Sequence, residues 1–235
     1  MPQAMTPVLR AFPPDDPGGA SLADQVGRML RRAIVTLELP PGARLSENDI
    51  ALKFGVSRQP VREAIIALSK IGLVRVMPQR GTIVVKISTR QMEQVRFTRE
   101  ALETSIARRA CDRFAPVIRA SLDSIIAAQI TAAEAGDHPA FQTHDERFHA
   151  ALASGAEADL AWALVVDIKH HMDRVCHLTL WDRDAMLAIV DQHKAIIAAI
   201  DARDADAAEQ AMRCHLTEIL RSLPRVLAEQ AELFE

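Results

Sequence analysis

The sequence predicts a mostly α protein. An N-terminal winged helix-turn-helix with a small β-hairpin wing is followed by an all-α antiparallel helical bundle. Three observations predict this. Turn and helix-stop signals in the first third separate three short amphipathic stretches, and two β-rich runs follow them. After Ser88 only helical periodicity remains, in Ala-rich stretches with short breaks. The two parts also differ in charge. Residues 21–86 hold eleven Lys/Arg against five acidic residues, and residues 87–235 hold sixteen against twenty-four.

Ser21 reads as an N-cap, and Leu22, Val26, Met29, Leu30, Ala33, Ile34 and Leu37 recur at helical spacing behind it. Pro40-Pro41-Gly42 stops that helix. Ser46 starts a second, short helix with Ile50, Ala51 and Phe54 inward, and Gly55 breaks it. Ser57 caps a third helix, with Pro60 in its first turn, where a missing N–H is tolerated. Its buried stripe is Val61, Ala64, Ile65, Leu68 and Ile71. Leu73–Met77 and Thr82–Lys86 then form a hairpin whose tip, Pro78-Gln79-Arg80-Gly81, is basic. Helix, short helix, tight turn, helix and hairpin is the order of a winged helix-turn-helix.

Helices are expected near 89–113, 116–135, 138–153, 157–178, 184–202 and 204–222, with Pro224 bending or ending the last. Their short connections favour antiparallel neighbours. The domain expectation is a disordered tail over 1–20, a DNA-binding domain over 21–87 and a helical effector-binding and dimerisation domain over 88–235.

Composition bounds the function. The chain has 235 residues, 49% of them apolar and 25% charged, as in globular proteins. No apolar run reaches the roughly 18 residues of a membrane span, so no membrane partner is expected. The first twenty residues lack the apolar core of a secretory signal. Three widely spaced cysteines without a CxxC fit a reducing compartment. A cytoplasmic location is therefore expected. No P-loop, GxGxxG, HExxH or GxSxG motif is present, and no enzyme is expected.

Arg58 and Arg62 are four apart and share a helix face, with Gln59 beside them, while Val61, Ile65 and Leu68 face the other way. A recognition helix has this layout, with Arg or Gln near its N-terminus reaching base edges. Ser57 and the helix N-terminus can take a phosphate. Arg80 at the hairpin tip can enter the minor groove or hold the backbone, and Gly81 allows close approach. The alternative is a solvated face with a pairing such as Arg62 with Glu63 or Gln59.

Arg44-Leu45-Ser46-Glu47 through Phe54-Gly55-Val56-Ser57-Arg58-Gln59-Pro60-Val61-Arg62-Glu63-Ala64, with Leu68, Gly72-Leu73 and Arg80-Gly81, resembles the GntR family of bacterial transcription factors. The resemblance spans residues 20–86. It implies operator contacts from the positions of Ser57, Arg58, Arg62 and Gly81. Many members carry Arg where this chain has Asn48, which also touches DNA there. Asn48 can still hydrogen-bond, with a different base preference or affinity.

In the second part, Asp145 and His149 are spaced i, i+4 on a face with Phe141, Phe148 and Leu152. His193 lies among Ile189, Val190, Ile196, Ile197 and Ile200, and His215 among Ala208, Ala211, Met212, Leu216 and Ile219. One Asp and three His thus point towards a bundle core. A divalent metal would resolve the cost of burying them; hydrogen-bonded core histidines would also. Asp145-Glu146-Arg147-Phe148-His149, His193-Lys194-Ala195-Ile196 and Met212-Arg213-Cys214-His215-Leu216 resemble the FCD effector domain of the family's FadR branch, over residues 96–223. The resemblance implies a metal on Asp145, His149, His193 and His215. Zinc is placed first, with nickel, manganese or iron as alternatives. Arg99, in Arg99-Glu100-Ala101-Leu102-Glu103, is implied to bind an effector carboxylate, against an i, i+4 ion pair with Glu103. The expected function is a ligand-responsive DNA-binding transcriptional repressor, a homodimer on a short two-fold-symmetric operator of double-stranded DNA, answering to a small organic acid. The rivals are a regulator with a purely dimerising bundle and a metal-dependent enzyme on a helical bundle. The enzyme lacks a general base beside the four residues and leaves the basic winged helix without a role.

Overall fold

A computed structural model of the chain describes residues 21–77, 81–179 and 183–235. The expected tail over residues 1–20 and Pro78-Gln79-Arg80 of the expected hairpin tip lie outside the described residues. The chain forms two compact units, one ending at Thr89 and including Gln230–Glu235, the other Arg90–Glu229.

In the first unit, α1 (Leu22–Val35) starts where Ser21 accepts a hydrogen bond from the Asp24 amide. Strand β1 (Arg44–Leu45) follows, then α2 (Glu47–Phe54), capped by Ser46 through the Asp49 amide. Gly55, at φ 64, ends α2 in the left-handed conformation that glycine adopts without steric cost. Helix α3 (Arg58–Lys70) begins after Ser57, which occupies the N-cap position but makes no side-chain cap bond. Ser57 thus holds the expected N-cap position without the side-chain bond, and its exposed hydroxyl is not committed to capping its own helix.

Strands β2 (Val74–Met77) and β3 (Gly81–Val84) pair antiparallel, with Val74 opposite Val84 and Met77 opposite Gly81. β1 pairs with the far edge of β3, Arg44 opposite Ile83, giving the order β1-β3-β2. The sequence reading expected only a hairpin. A two-residue strand carries no periodicity, and β1 exists because β3 offers it an open edge. Val26, Leu30, Ile34, Phe54, Val61, Ile65, Leu68 and Leu73 form the core of this unit.

The last residues also belong here. The Ile87 amide donates to the Leu233 carbonyl at 2.9 Å, and the Glu235 amide donates to the Ile87 carbonyl at 3.0 Å. Phe234 is buried. Residues 230–235, expected within the helical domain, instead complete the backbone pairing of Ile87. The chain passes between the units twice, after Thr89 and before Gln230.

The second unit is helical throughout: α4 (Thr89–Asp112), α5 (Pro116–Ala135), α6 (His138–Gly155), α7 (Asp159–Ile168), α8 (His170–Thr179), α9 (Arg183–Asp201), α10 (Ala205–Thr217) and α11 (Ile219–Glu229). Neighbours in sequence pack in pairs, α5 with α6 and α9 with α10, and α5 also packs on α9. Two expected helices are each divided. The stretch 157–178 breaks at Lys169, a buried lysine ion-paired to Asp173 at 2.7 Å and Glu146 at 3.3 Å. The stretch 204–222 breaks at Glu218, whose amide bonds one residue short, to the His215 carbonyl. Pro224 does not end α11, which runs to Glu229. Phe141, Phe148, Leu122, Leu152, Met186, Val190, Ile196 and Met212 lead the core. No helix among the described residues is long and apolar enough to cross a membrane.

Gly155, at the end of α6, faces Phe114 so closely that an added Cβ would lie 2.3 Å from its ring. Phe114 packs against the bundle core and cannot retreat freely. Gly155→Ala is expected to destabilise the protein by about 1–3 kcal/mol. Urea unfolding followed by circular dichroism checks this; an unchanged midpoint would mean the ring has room to move.

Candidate metal centre and nucleic-acid interface

A groove of the first unit is lined by Arg44, Leu45, Ser46, Glu47, Asn48, Arg58, Val76, Gly81 and Thr82, between α2, the start of α3 and the sheet. Asn48, Ser57, Arg58, Gln59, Arg62 and Gly81 are all exposed. Arg58 and Arg62 share a face of α3, opposite buried Val61, Ile65 and Leu68. Glu47 holds the Arg58 guanidinium at 3.1 Å, which restricts a side chain that is still 67% exposed. Gln59 donates to Glu63 at 2.7 Å, so the surface pairing weighed from the sequence exists, through Gln59 rather than Arg62. Gly81 lies at φ 83, in the left-handed region, at the start of β3.

In the second unit α6 carries Asp145 and His149, α9 carries His193 and α10 carries His215. One ligand atom from each lies within 4.8 Å of all the others. The three imidazoles are buried, His193 completely, while the Asp145 side chain keeps 30% exposure. His193 Nε2 is 3.5 Å from Asp145 Oδ1 and has no hydrogen-bond partner. His149 Nε2 is 3.1 Å from His215 Nε2.

Each ring is held from behind. His193 Nδ1 donates to Gln129 Oε1 at 3.0 Å, and His215 Nδ1 donates to Gln192 Oε1 at 3.0 Å. His149 Nδ1 lies 2.5 Å from Glu103 Oε2. An amide oxygen only accepts, so the proton of His193 and of His215 sits on Nδ1. Their Nε2 lone pairs therefore face the shared space. A proton on His149 Nε2, 3.1 Å away, or a shared cation satisfies the His215 lone pair. Phe148 stacks on His193 with ring centres 3.8 Å apart, and Trp162 lies parallel to His149 at 5.9 Å. Burial, then the neighbouring imidazoles, push His193 well below the ordinary histidine range, and burial, then His149, does the same to His215. Both are neutral at pH 7, the form that ligates a metal. Burial pushes the Asp145 carboxyl up, against the pull of His149 and Arg99. This donor set, three imidazole nitrogens and one carboxylate with Glu103, Gln129 and Gln192 behind the rings, fits a divalent transition metal.

Arg99, on α4, is buried. Its Nε donates to Glu103 Oε1 at 2.6 Å, and its Nη1 lies 3.2 Å from Met172 Sδ on α8. The i, i+4 ion pair weighed for Arg99 is thus formed. Glu103 touches Arg99 through one oxygen and His149 through the other. Sequence reading named Glu103 only as a partner of Arg99, and it missed Gln129 and Gln192. Gln129 did leave a signal: it is a polar residue in a buried stripe with Leu122, Ile126, Ala132 and Ala133.

Burial alone would raise the Glu103 carboxyl, but Arg99 and then His149 hold it well below the usual carboxylate range. A carboxylate depressed in the folded state adds stability above its unfolded pKa and loses it as pH falls through the depressed value. Arg99→Met removes the larger support. At pH 7 it is expected to cost about 3–5 kcal/mol, because a buried charge loses its partner. The gap from the parent should narrow by pH 4, as Glu103 in the variant takes up a proton. Parallel urea titrations at the two pH values check this; equal gaps would contradict the assignment.

Residues 22–84 match the bacterial regulatory proteins of the gntR family, and residues 94–218 match the FCD domain. The HTH-type transcriptional repressor RspR of Escherichia coli K12 is 37% identical over 210 residues, covering 89% of this chain and 92% of that protein. The solved structure of E. coli McbR/YncC shares the fold, with a TM-score of 0.75 at 23% identity over 90% of this chain and 99% of the other. A GntR transcriptional regulator from Rhodococcus sp. RHA1 superposes with a TM-score of 0.72 at 25% identity, over 87% and 99%. With the exposed Arg58 and Arg62 on a docked third helix, and both halves of the architecture matched in order, the chain belongs to the GntR family of DNA-binding transcriptional regulators, with an FCD domain as its second part.

Proposed function

We propose that this regulator is a repressor whose FCD domain holds a divalent metal on Asp145, His149, His193 and His215 and answers to a small organic acid. The observation that carries the metal is the outer shell. Three Nδ1 atoms face Glu103, Gln129 and Gln192, and the Nε2 lone pairs of His193 and His215 are turned into the space shared with His149 and Asp145. Zinc is the first candidate, since imidazole and carboxylate suit it; nickel, manganese and iron share that preference. The metal would supply a Lewis-acidic anchor for a chelating acid, and Arg99 would meet an effector carboxylate beside it.

On the DNA side, Arg58, Gln59 and Arg62 read base edges from α3. Ser57 takes a phosphate, and Asn48 contributes where many relatives carry Arg. Gly81, with Arg80 before it in sequence, brings the wing to the duplex. The protein acts on a short two-fold-symmetric operator as a homodimer in the cytoplasm, where the DNA is. The similarity to RspR supports repression. The effector must bind one arrangement of the reading heads better than the other, since equal affinity shifts nothing.

Two measurements test the reading. Protein purified without a histidine tag or chelator should contain near one divalent ion per chain, and His193→Ala should lose most of it. Absence of metal, even after several ions are offered, would leave the bundle as a dimeriser. Arg62→Ala should weaken operator binding by about 1–3 kcal/mol with the fold intact. Parent affinity should fall steeply with salt. A flat salt response would remove the basic face from the interface.

A further inference from the structure

We infer that Glu103 is a positioning residue that sets the charge of the effector site, and that the site selects acids carrying a single carboxylate. This inference rests on the metal and effector reading above and narrows it. Glu103 is 2% exposed and lies between the two parts of that site. Its Oε1 takes the Arg99 Nε proton at 2.6 Å, and its Oε2 lies 2.5 Å from His149 Nδ1. One carboxylate thus orients the imidazole that ligates and neutralises the guanidinium that meets the effector.

The charges facing this space are few. Arg99 contributes one positive charge, and Glu103 and Asp145 one negative charge each. Gln129 and Gln192, the other outer-shell groups, are neutral. Lys169, which also acts on Asp145, is matched by Asp173 at 2.7 Å and approached by Glu146 at 3.3 Å. Imidazoles that hold a metal are neutral and add nothing. In this set the two carboxylates outnumber the one guanidinium, which favours a cation. With a divalent ion the set carries one net positive charge. A buried site at that charge is neutralised by one carboxylate; a second or third must be desolvated without a counter-charge, which is costly. A monocarboxylate that also offers a hydroxyl can chelate the ion and meet Arg99 without that excess. Had Glu103 been neutral, the loaded site would carry two positive charges and favour a dicarboxylate.

The test uses the full chain, loaded with zinc, and three hydroxy acids that differ in carboxylate count: lactate, malate and citrate. Isothermal titration should give affinity falling in that order for the parent protein. Glu103→Gln keeps the size and an acceptor but removes the charge, and it should shift the lactate-to-malate affinity ratio about tenfold or more towards malate. Glu103→Asp keeps the charge and should leave the ratio near the parent value. Glu103→Gln should also bind zinc about 10–100-fold more weakly, as measured by chelator competition. Should Glu103→Gln fail to fold, the parent series decides alone. Citrate bound most tightly, no hydroxy acid bound by zinc-loaded protein, or an unchanged ratio in Glu103→Gln would each overturn the inference while leaving metal binding intact. A parent protein that takes up no metal would instead overturn the reading on which the inference rests.

Discussion

The burial of ionisable groups inside an apolar bundle is the constraint on which the second unit is built. Histidine and glutamate side chains lose strong hydration when covered, and each must recover it from a specific neighbour. Here α4 supplies Glu103 to His149 of α6, α5 supplies Gln129 to His193 of α9, and α9 supplies Gln192 to His215 of α10. Each pairing crosses between helices, so the polar centre also specifies which helices meet and in what register. A shift of one turn in α5 or α9 would strand an imidazole.

The surface reinforces the same register between α4 and α10. Arg108 reaches Asp206 at 2.6 Å and Glu209 at 2.9 Å, and Arg213 pairs with both Glu209 and Glu100. Exposed pairs are individually weak, but a linked set orders its members together. α4 carries Arg99 and Glu103, and α10 carries His215, so this network steadies the two walls on either side of the centre. Across the bundle, Arg119 of α5 grips Asp201 of α9 with two bonds of 2.7 Å, next to the helices that carry Gln129 and His193.

The first unit depends on local rules instead. The Ser46 cap, the left-handed Gly55 and the fixed backbone of Pro60 set α2 and α3 at a short turn. The apolar stripe of α3 docks it, and what remains outward is Arg58, Gln59 and Arg62. That local determinism is why this half was legible. The absent Ser57 cap bond and the added strand β1 are differences that alter no exposed reading residue. The docking of Phe234 against Ile87 was invisible because it joins positions far apart in sequence, and nothing local in Glu232-Leu233-Phe234 announces a strand partner.

In the bundle, periodicity marked Asp145, His149, His193 and His215 as inward, since one residue's face on a helix follows from its apolar neighbours. Periodicity tells which way a side chain points and not what it meets. Whether four inward residues on three helices share one point depends on helix packing, and the tertiary structure brings their ligand atoms within 4.8 Å. The same holds for the outer shell. Gln129 and Gln192 gain a role only when α5 and α9 lie alongside the right imidazoles. Glu103 was visible as a local partner of Arg99, four residues away on one helix. Its second contact, to His149 across forty-six positions, was decided by tertiary structure alone, because contacts between helices follow from packing and not from spacing along the chain.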